Sequence, residues 1–278
     1  MVFHKFLPCP FLKEFIREYR VVHFAFDNNS TIHCKAYPPR PEHCLCFFPR
    51  GTEVVEFAES KKKICNLKTA LIGQQTEVTN RYPGPDFLLF LVIFRPGALF
   101  RFTAIPSKEL TNCYIDAEGV FPAYRLKETN ERLAEADNYP EMVSMAEAFL
   151  YTQATRNKRG SHQVDTLTDL SLYTKKNLNV EWLAKESCLS LRQYERKFVE
   201  RMGVSPKYFN KVVRFENAFR LKNTFPRLDW LTIALKCGYY DCQHLVKDYK
   251  DLTLQTPTSF HLLDLSSPER TFGEADPF

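Results

Sequence analysis

The hydrophobic pattern of this chain changes character near its middle. Between residues 21 and 94, apolar residues come in short runs at 21–26, 44–48, 54–58, 67–72, 78–82 and 87–94, separated by Pro, Gly and Asn. Short runs bounded by turn residues predict strands of an antiparallel sandwich or barrel. Residues 87–94 contain no polar side chain, so they predict a central strand covered on both faces. Lys61-Lys62-Lys63 lies between two runs and reads as an exposed hairpin tip. Ahead of these, Phe11, Leu12, Phe15, Ile16 and Tyr19 recur at helical spacing after Pro10, with Lys13, Glu14 and Arg17 outward, which predicts an amphipathic helix.

The period lengthens after residue 120. Leu126 and Leu133 mark one helix over 124–137, and Met142, Met145, Ala146, Phe149 and Leu150 mark another over 140–155, with Tyr139-Pro140 between them. The expected result is a helical hairpin. The second stripe offers more apolar surface than one short partner needs, so it is a candidate centre for a homodimer; docking on its own sheet accounts for it equally well. Residues 156–163 are polar, contain Gly160 and lack an apolar period, as a linker does.

Residues 179–260 then carry one pattern twice. The first copy has Val180-Glu-Trp-Leu183-Ala184, Ser190, Tyr194, Phe198 and Ser205-Pro206; the second has Trp230-Leu-Thr-Ile233-Ala234, Asp241, Leu245, Tyr249 and Thr256-Pro257. Ala184 and Ala234 are 50 positions apart, and Phe198 and Tyr249 are 51 apart, which makes this a structural repeat. Each copy reads as a helix, a tight turn and a second helix. The second helix opens on a residue whose side-chain oxygen can accept bonds from first-turn amides, Ser190 or Asp241. That is the grammar of a helix-turn-helix.

The outward positions point to the chemistry. Ser190, Arg192, Gln193, Glu195 and Arg196 belong to the first second-helix, and Asp241, Cys242, Gln243, His244 and Lys247 to the other. Arg pairs bidentately with guanine, Gln with adenine, and Lys with guanine or phosphate. One such face is most simply a solvated surface; two at equivalent positions favour DNA contact. Between them, residues 206–224 predict a helix with Pro206 in its first turn and Tyr208, Val212, Phe215 and Phe219 on one side. Its length of roughly 28 Å approaches the ~34 Å between successive major-groove faces. Lys207, Lys211 and Arg214 on this spacer are candidate phosphate contacts.

Residues 165–263 resemble the tandem DNA-binding domain of the AraC/XylS family of bacterial transcription regulators. The resemblance is carried by Leu183-Ala184, Ser190 through Phe198, Gly203-Val-Ser-Pro206, Arg214 with Ala218, Ile233-Ala234 with Gly238-Tyr239, Asp241 through Lys250, and Pro257. Leu254 departs from the Gly common at its position, and Val246-Lys247 replaces a commoner polar-Arg pair. Gly73-Gln74-Gln75, Phe94-Arg95-Pro96-Gly97-Ala98 and Pro106-x2-Glu109-Leu110-Thr-Asn112 resemble a poorly characterised, cupin-like domain found ahead of such modules. The fold class implied is α+β, an antiparallel cupin-like barrel or sandwich with flanking helices followed by an all-α tandem helix-turn-helix. The divisions are a sensor or dimerisation domain over 1–156, its hairpin at about 120–156, a linker at 157–164, the DNA-binding domain at 165–263 and a disordered tail at 264–278. The partners implied are double-stranded DNA, a small-molecule effector, RNA polymerase and a second copy of the chain.

Charge agrees with this picture. Residues 192–227 hold ten Lys/Arg against three Asp/Glu, a local +7, so the chain's +5 leaves −2 elsewhere. Nine scattered cysteines and no signal peptide point to buried thiols in a reducing cytoplasm, and no apolar run is long enough to span a bilayer. His33, Cys34, His43, Cys44 and Cys46 are metal-ligand types, but the His-x-His with Glu of metal-binding cupins is missing, so neither metal nor cofactor is expected. A methyl-accepting zinc cysteine, found in some repair proteins with such modules, would need two close Cys pairs that Cys34, Cys44, Cys46 and Cys65 do not form. Without a recognisable nucleophile, P-loop or dinucleotide motif, the chain reads as a binding protein, not an enzyme. The Phe- and Tyr-rich sandwich would suit an apolar or aromatic effector, or serve as a ligand-independent interaction domain.

Overall fold

A computed structural model describes residues 2–25, 35–156, 159–174 and 178–265. Phe26, His33, Cys34, part of the expected linker and most of the expected tail lie outside the described residues. Ten strands form two antiparallel sheets: β1 (Val2–Phe6), β2 (Ile16–Ala25), β9 (Asp86–Phe94), β4 (Cys44–Arg50), β7 (Thr69–Ile72) and β10 (Tyr114–Asp116) in that order, and β3 (Lys35–Tyr37), β8 (Thr79–Pro83), β5 (Glu53–Phe57) and β6 (Lys63–Cys65). The arrangement is a sandwich, with no closed barrel. As its composition predicts, β9 runs through the interior of the larger sheet, and all but its first residue are buried.

The pleat of the larger sheet divides two cores. Cys44, Cys46, Ala70, Ile72, Leu89, Leu91 and Ile93 face the smaller sheet, where Val55 and Phe57 meet them. Leu45, Phe47, Leu71, Phe90 and Val92 face a helical layer built from α1 (Ala98–Thr103), α2 (Ala123–Glu135) and α3 (Tyr139–Arg156). The hairpin forms, but the α3 stripe is not a free surface. Met142, Ala146, Phe149 and Leu150 are buried in this chain's own core, with the Phe149 ring edge-on to Phe47 at 5.9 Å.

Residues 11–19 correct the expectation of a helix. Only a 3-10 turn forms, Leu12–Glu14, and β2 begins at Ile16. A bulge between Ile16 and Glu18, against Phe94 and Ile93, resets the strand alternation. Turn and bulge together bury Leu12, Phe15, Ile16 and Tyr19, satisfying the same three- and four-residue spacings that a helix would.

The C-terminal part is all helical: α4 (Gln163–Tyr173), α5 (Val180–Glu186), α6 (Leu191–Met202), α7 (Pro206–Thr224), α8 (Trp230–Lys236), α9 (Cys242–Thr253) and α10 (Pro257–Leu265). Two cores follow the repeat. Tyr194 and Phe198 join Leu183, Ala184, Phe209 and Val213 with Val164 and Leu167 of α4, while Leu245 and Tyr249 join Ile233, Ala234, Phe215, Phe219 and Phe260. The repeat extends to backbone strain. Cys188 (φ 54°) and Gly238 (φ 79°) are equivalent turn positions, and Gly203 (φ 85°) and Leu254 (φ 61°) are equivalent helix ends, all left-handed. A left-handed conformation costs a non-glycine residue about 1–2 kcal/mol, and Leu254 is 57% exposed, so it buries little in return. Leu254→Gly should therefore raise stability by about 1 kcal/mol, read as a higher melting temperature; an unchanged or lower value would mean that the Leu254 side chain contributes packing that offsets its strain.

Candidate nucleic-acid interface

The second helix of each repeat, α6 or α9, is fixed by its cap. Ser190 Oγ accepts from the Gln193 amide at 3.3 Å while Gln193 Oε1 accepts from the Ser190 amide at 3.0 Å, a reciprocal capping box. Asp241 Oδ1 accepts from the His244 amide at 2.8 Å and from the His244 ring at 2.9 Å. Ser190 and Asp241 thus cap their helices as their positions suggested, and Gln193 and His244 share in holding the helix ends. Cys242 is a half-buried free thiol.

Opposite the buried Tyr194 and Phe198, the side chains of Arg192, Glu195 and Arg196 are exposed, and Gln243, His244 and Lys247 are exposed on α9. Arg192, Arg196 and Lys247 form no ion pair among the described residues. The spacer cations divide. Lys207 is exposed and unpaired among the described residues. Lys211 instead reaches Asp251 at 2.8 Å, and Arg214 reaches Asp248 at 3.0 Å while lying 5.0 Å over the Tyr239 ring. Both Asp residues are on α9, so Lys211 and Arg214 brace that helix against α7. Lys207, Lys211, Arg214, His244 and Lys247 line a groove of about 1140 Å³ between the two units.

The sequence did not indicate that the C-terminal end of α6 is docked on the sandwich. Arg201 pairs through Nε and Nη2 with Asp165 of α4, both side chains buried, and its guanidinium lies 5.0 Å over Phe100. Ser107 Oγ donates to the Arg201 carbonyl and Thr111 Oγ1 to the Gly203 carbonyl, each at 2.8 Å. The buried His43 ring shares a hydrogen bond with the Met202 carbonyl at 3.2 Å, and Tyr208 Oη donates to the Thr76 carbonyl at 3.0 Å. Arg95 reaches Asp169 at 2.6 Å. Gly97 is left-handed, and a Cβ there would meet the Asp165 carboxylate at 2.0 Å. The Arg95-Pro96-Gly97 and Pro106-to-Asn112 motifs were therefore the available signal for this contact, although nothing local in them names the partner. Pro106 and Lys108 also flank a cleft of about 730 Å³ facing Arg192, Glu195, Arg196 and Val199.

His43, Cys44 and Cys46 do not converge. His43 points to α6, whereas Cys44 and Cys46 lie between the sheets, where burial pushes the Cys44 thiol up to about 12. No group of three His, Cys, Asp or Glu suited to a metal occurs among the described residues, nor does any helix there reach the length and apolarity needed to cross a membrane.

Residues 183–261, from within α5 into α10, match the family described as a helix-turn-helix domain. The C-terminal part is an AraC-type DNA-binding domain. The chain is accordingly a DNA-binding transcription regulator. Residues 4–116 of this chain match a domain of unknown function, DUF6597. Its fold is similar to that of an apo ToxT variant from Vibrio cholerae, with a TM-score of 0.51 and 10% identity over 88% of this chain and 97% of that one. Two shorter matches are to the DNA-binding domain of AdpA bound to a target DNA (21% identity, 41% of this chain and 100% of that one, TM-score 0.37) and to an AraC-type regulator from Chromobacterium violaceum (22%, 38% and 91%, 0.33). No curated protein matches the sequence. At these identities the structural likeness concerns fold alone.

Proposed function

We propose that α6 and α9 read two adjacent major-groove segments on one side of a duplex, with α7 setting their separation and the sandwich governing α6. The observation that carries this reading is the repeated face: Arg192, Glu195 and Arg196 on α6, and Gln243, His244 and Lys247 on α9, all exposed at equivalent turns of a repeat. Arg192, Arg196 and Lys247 are exposed donors that need not break an ion pair among the described residues, so they can engage base edges at lower desolvation cost. Lys207 supplies a phosphate contact between the two readers, while Lys211 and Arg214 act mainly by holding α9 in place.

Docking of the sandwich on Arg201, Met202 and Gly203 favours a sensor over an independent interaction domain. A ligand-dependent shift in the sandwich has a direct mechanical route to the first reader, through Ser107, Thr111 and His43. The regulator acts where bacterial DNA is, in the cytoplasm, and any pairing of two copies must use a surface other than the buried α3 stripe.

Arg196→Ala should weaken binding to the preferred duplex by about 1–3 kcal/mol and relax base preference within one half of the site; Gln243→Ala should do the same within the other half. Titration against the preferred duplex and single-base variants at fixed salt measures both. Equal loss on all duplexes would make these residues phosphate contacts and would remove them as readers.

A further inference from the structure

The space between the two sheets holds a polar group that neither the fold nor DNA binding explains. Arg81 of β8 and Glu53 of β5 face inward with Val55 and Phe57, toward Tyr114 of β10 on the opposite sheet. The Arg81 guanidinium lies 4.6 Å from the Tyr37 ring centre and 5.5 Å from that of Tyr114. Its nearest anion, Glu53 Oε1, is 3.8 Å from Nη1, too far for a hydrogen bond. Arg81 Nε, Glu53 Oε1 and Tyr114 Oη are each buried without a hydrogen-bond partner. Buried polar atoms are nearly always satisfied, and three orphans converging in one place call for a partner that the described residues do not supply.

The chemistry of that partner follows from what surrounds it. Burial raises the Glu53 carboxyl above its usual range against the pull of Arg81, so Glu53 is a poor counter-ion. Arg81 therefore carries a charge that needs an anion, and its planar fork suits a carboxylate. Its side chain keeps 19% of its surface exposed while Nε is sealed, as expected of a group at the mouth of a site. The neighbouring walls are aromatic and aliphatic, with Phe57 edge-on to Tyr114 at 6.2 Å and Ile72 and Leu91 behind them.

We infer that the sandwich binds a small organic carboxylate with an apolar or aromatic body, its carboxylate held by Arg81 and Tyr114 and its body seated between the sheets. This rests on the sensor reading for its consequence, though not for the binding itself. Arg81 is then an anchor for ligand, and in its absence a burden on the folded state, since an ill-paired buried charge is costly.

The test uses the full chain with benzoate as probe, benzamide as its uncharged match and octanoate as the aliphatic alternative. Benzoate or octanoate should raise the melting temperature, and benzamide should not. Arg81→Met should leave the unliganded melting temperature unchanged or higher, and weaken carboxylate binding by roughly 10- to 100-fold, the loss of one charge-assisted contact. Three results would overturn the site: no shift with either carboxylate, equal shifts in Arg81→Met, or a melting temperature of unliganded Arg81→Met that falls as for a structural residue. DNA affinity measured with and without the bound carboxylate separates the two claims: binding that leaves DNA affinity unchanged would sink the sensor reading while leaving the site intact.

Discussion

Arg201→Ala is expected to destabilise the protein by about 3–5 kcal/mol, the usual consequence of stranding one member of a buried ion pair. Arg201 and Asp165 are both buried, and both carboxylate oxygens of Asp165 are engaged by the one guanidinium. Gly97 lies so close to that carboxylate that even a Cβ there would clash, so the Asp165 side chain is tightly packed on its Gly97 side. Asp165→Ala should cost a similar amount. The double variant Arg201→Met, Asp165→Leu should recover most of the loss, because it strands no charge. Urea unfolding followed by helix content and by aromatic fluorescence measures all three. Single variants that each cost less than about 1 kcal/mol, the scale of exposed pairs, would mean that the pair is open to solvent and does not fasten α4 to α6.

Acidification should weaken the same junction through His43. Burial lowers this imidazole from 6.5 to about 4, outweighing the upward pull of its Met202 hydrogen bond and of the Glu42 carboxylate. Below pH 6.5 the unfolded chain binds a proton that the folded chain refuses. The stabilisation from keeping His43 neutral is therefore full above pH 6.5, declines as pH falls and is gone below about 4. The total is about 3 kcal/mol. Glu42, held below its ordinary value by Arg20 and Arg17 despite burial, adds its own loss as pH falls below its usual value of 4.5, so the range above 4.5 reports mainly His43. Urea midpoints across pH 7 to 4.5 should fall in wild type and be flatter in His43→Gln. Parallel curves for the two proteins would assign the acid loss to other groups.

Both of these contacts escaped the sequence, and for the same reason. Capped helices, paired Ala residues and left-handed positions recur locally at a fixed spacing, so the tandem unit was legible down to the bounds of α7. The strong runs of the sandwich were legible too, β9 above all. The short strands β1, β3, β6 and β10 were not, because each holds no more than two adjacent apolar residues, too few to stand out as a run. Residues 11–19 misled because a turn followed by a bulge buries the same positions as a helix. Asp165 and Arg201 sit 36 residues apart, and Lys211 and Asp251 40 apart, on different helices; no local pattern links a charge to a partner at that distance. Arg201 was accordingly counted in the local positive charge of residues 192–227, although it is buried against Asp165 and Phe100. The exposed positions of α6 and α9 were legible because exposure opposite Tyr194 and Leu245 follows from helical period alone.

Two adjacent grooves read by two unlike helices of one chain would leave a signature in the bound sequence, and selection from a randomised duplex pool by the full chain reveals it. The expected site has two short preferred blocks, centred about 10 base pairs apart on one side of the duplex, with Arg196→Ala erasing preference in one block and Gln243→Ala in the other. A single block, or preferences that survive both substitutions, would contradict it.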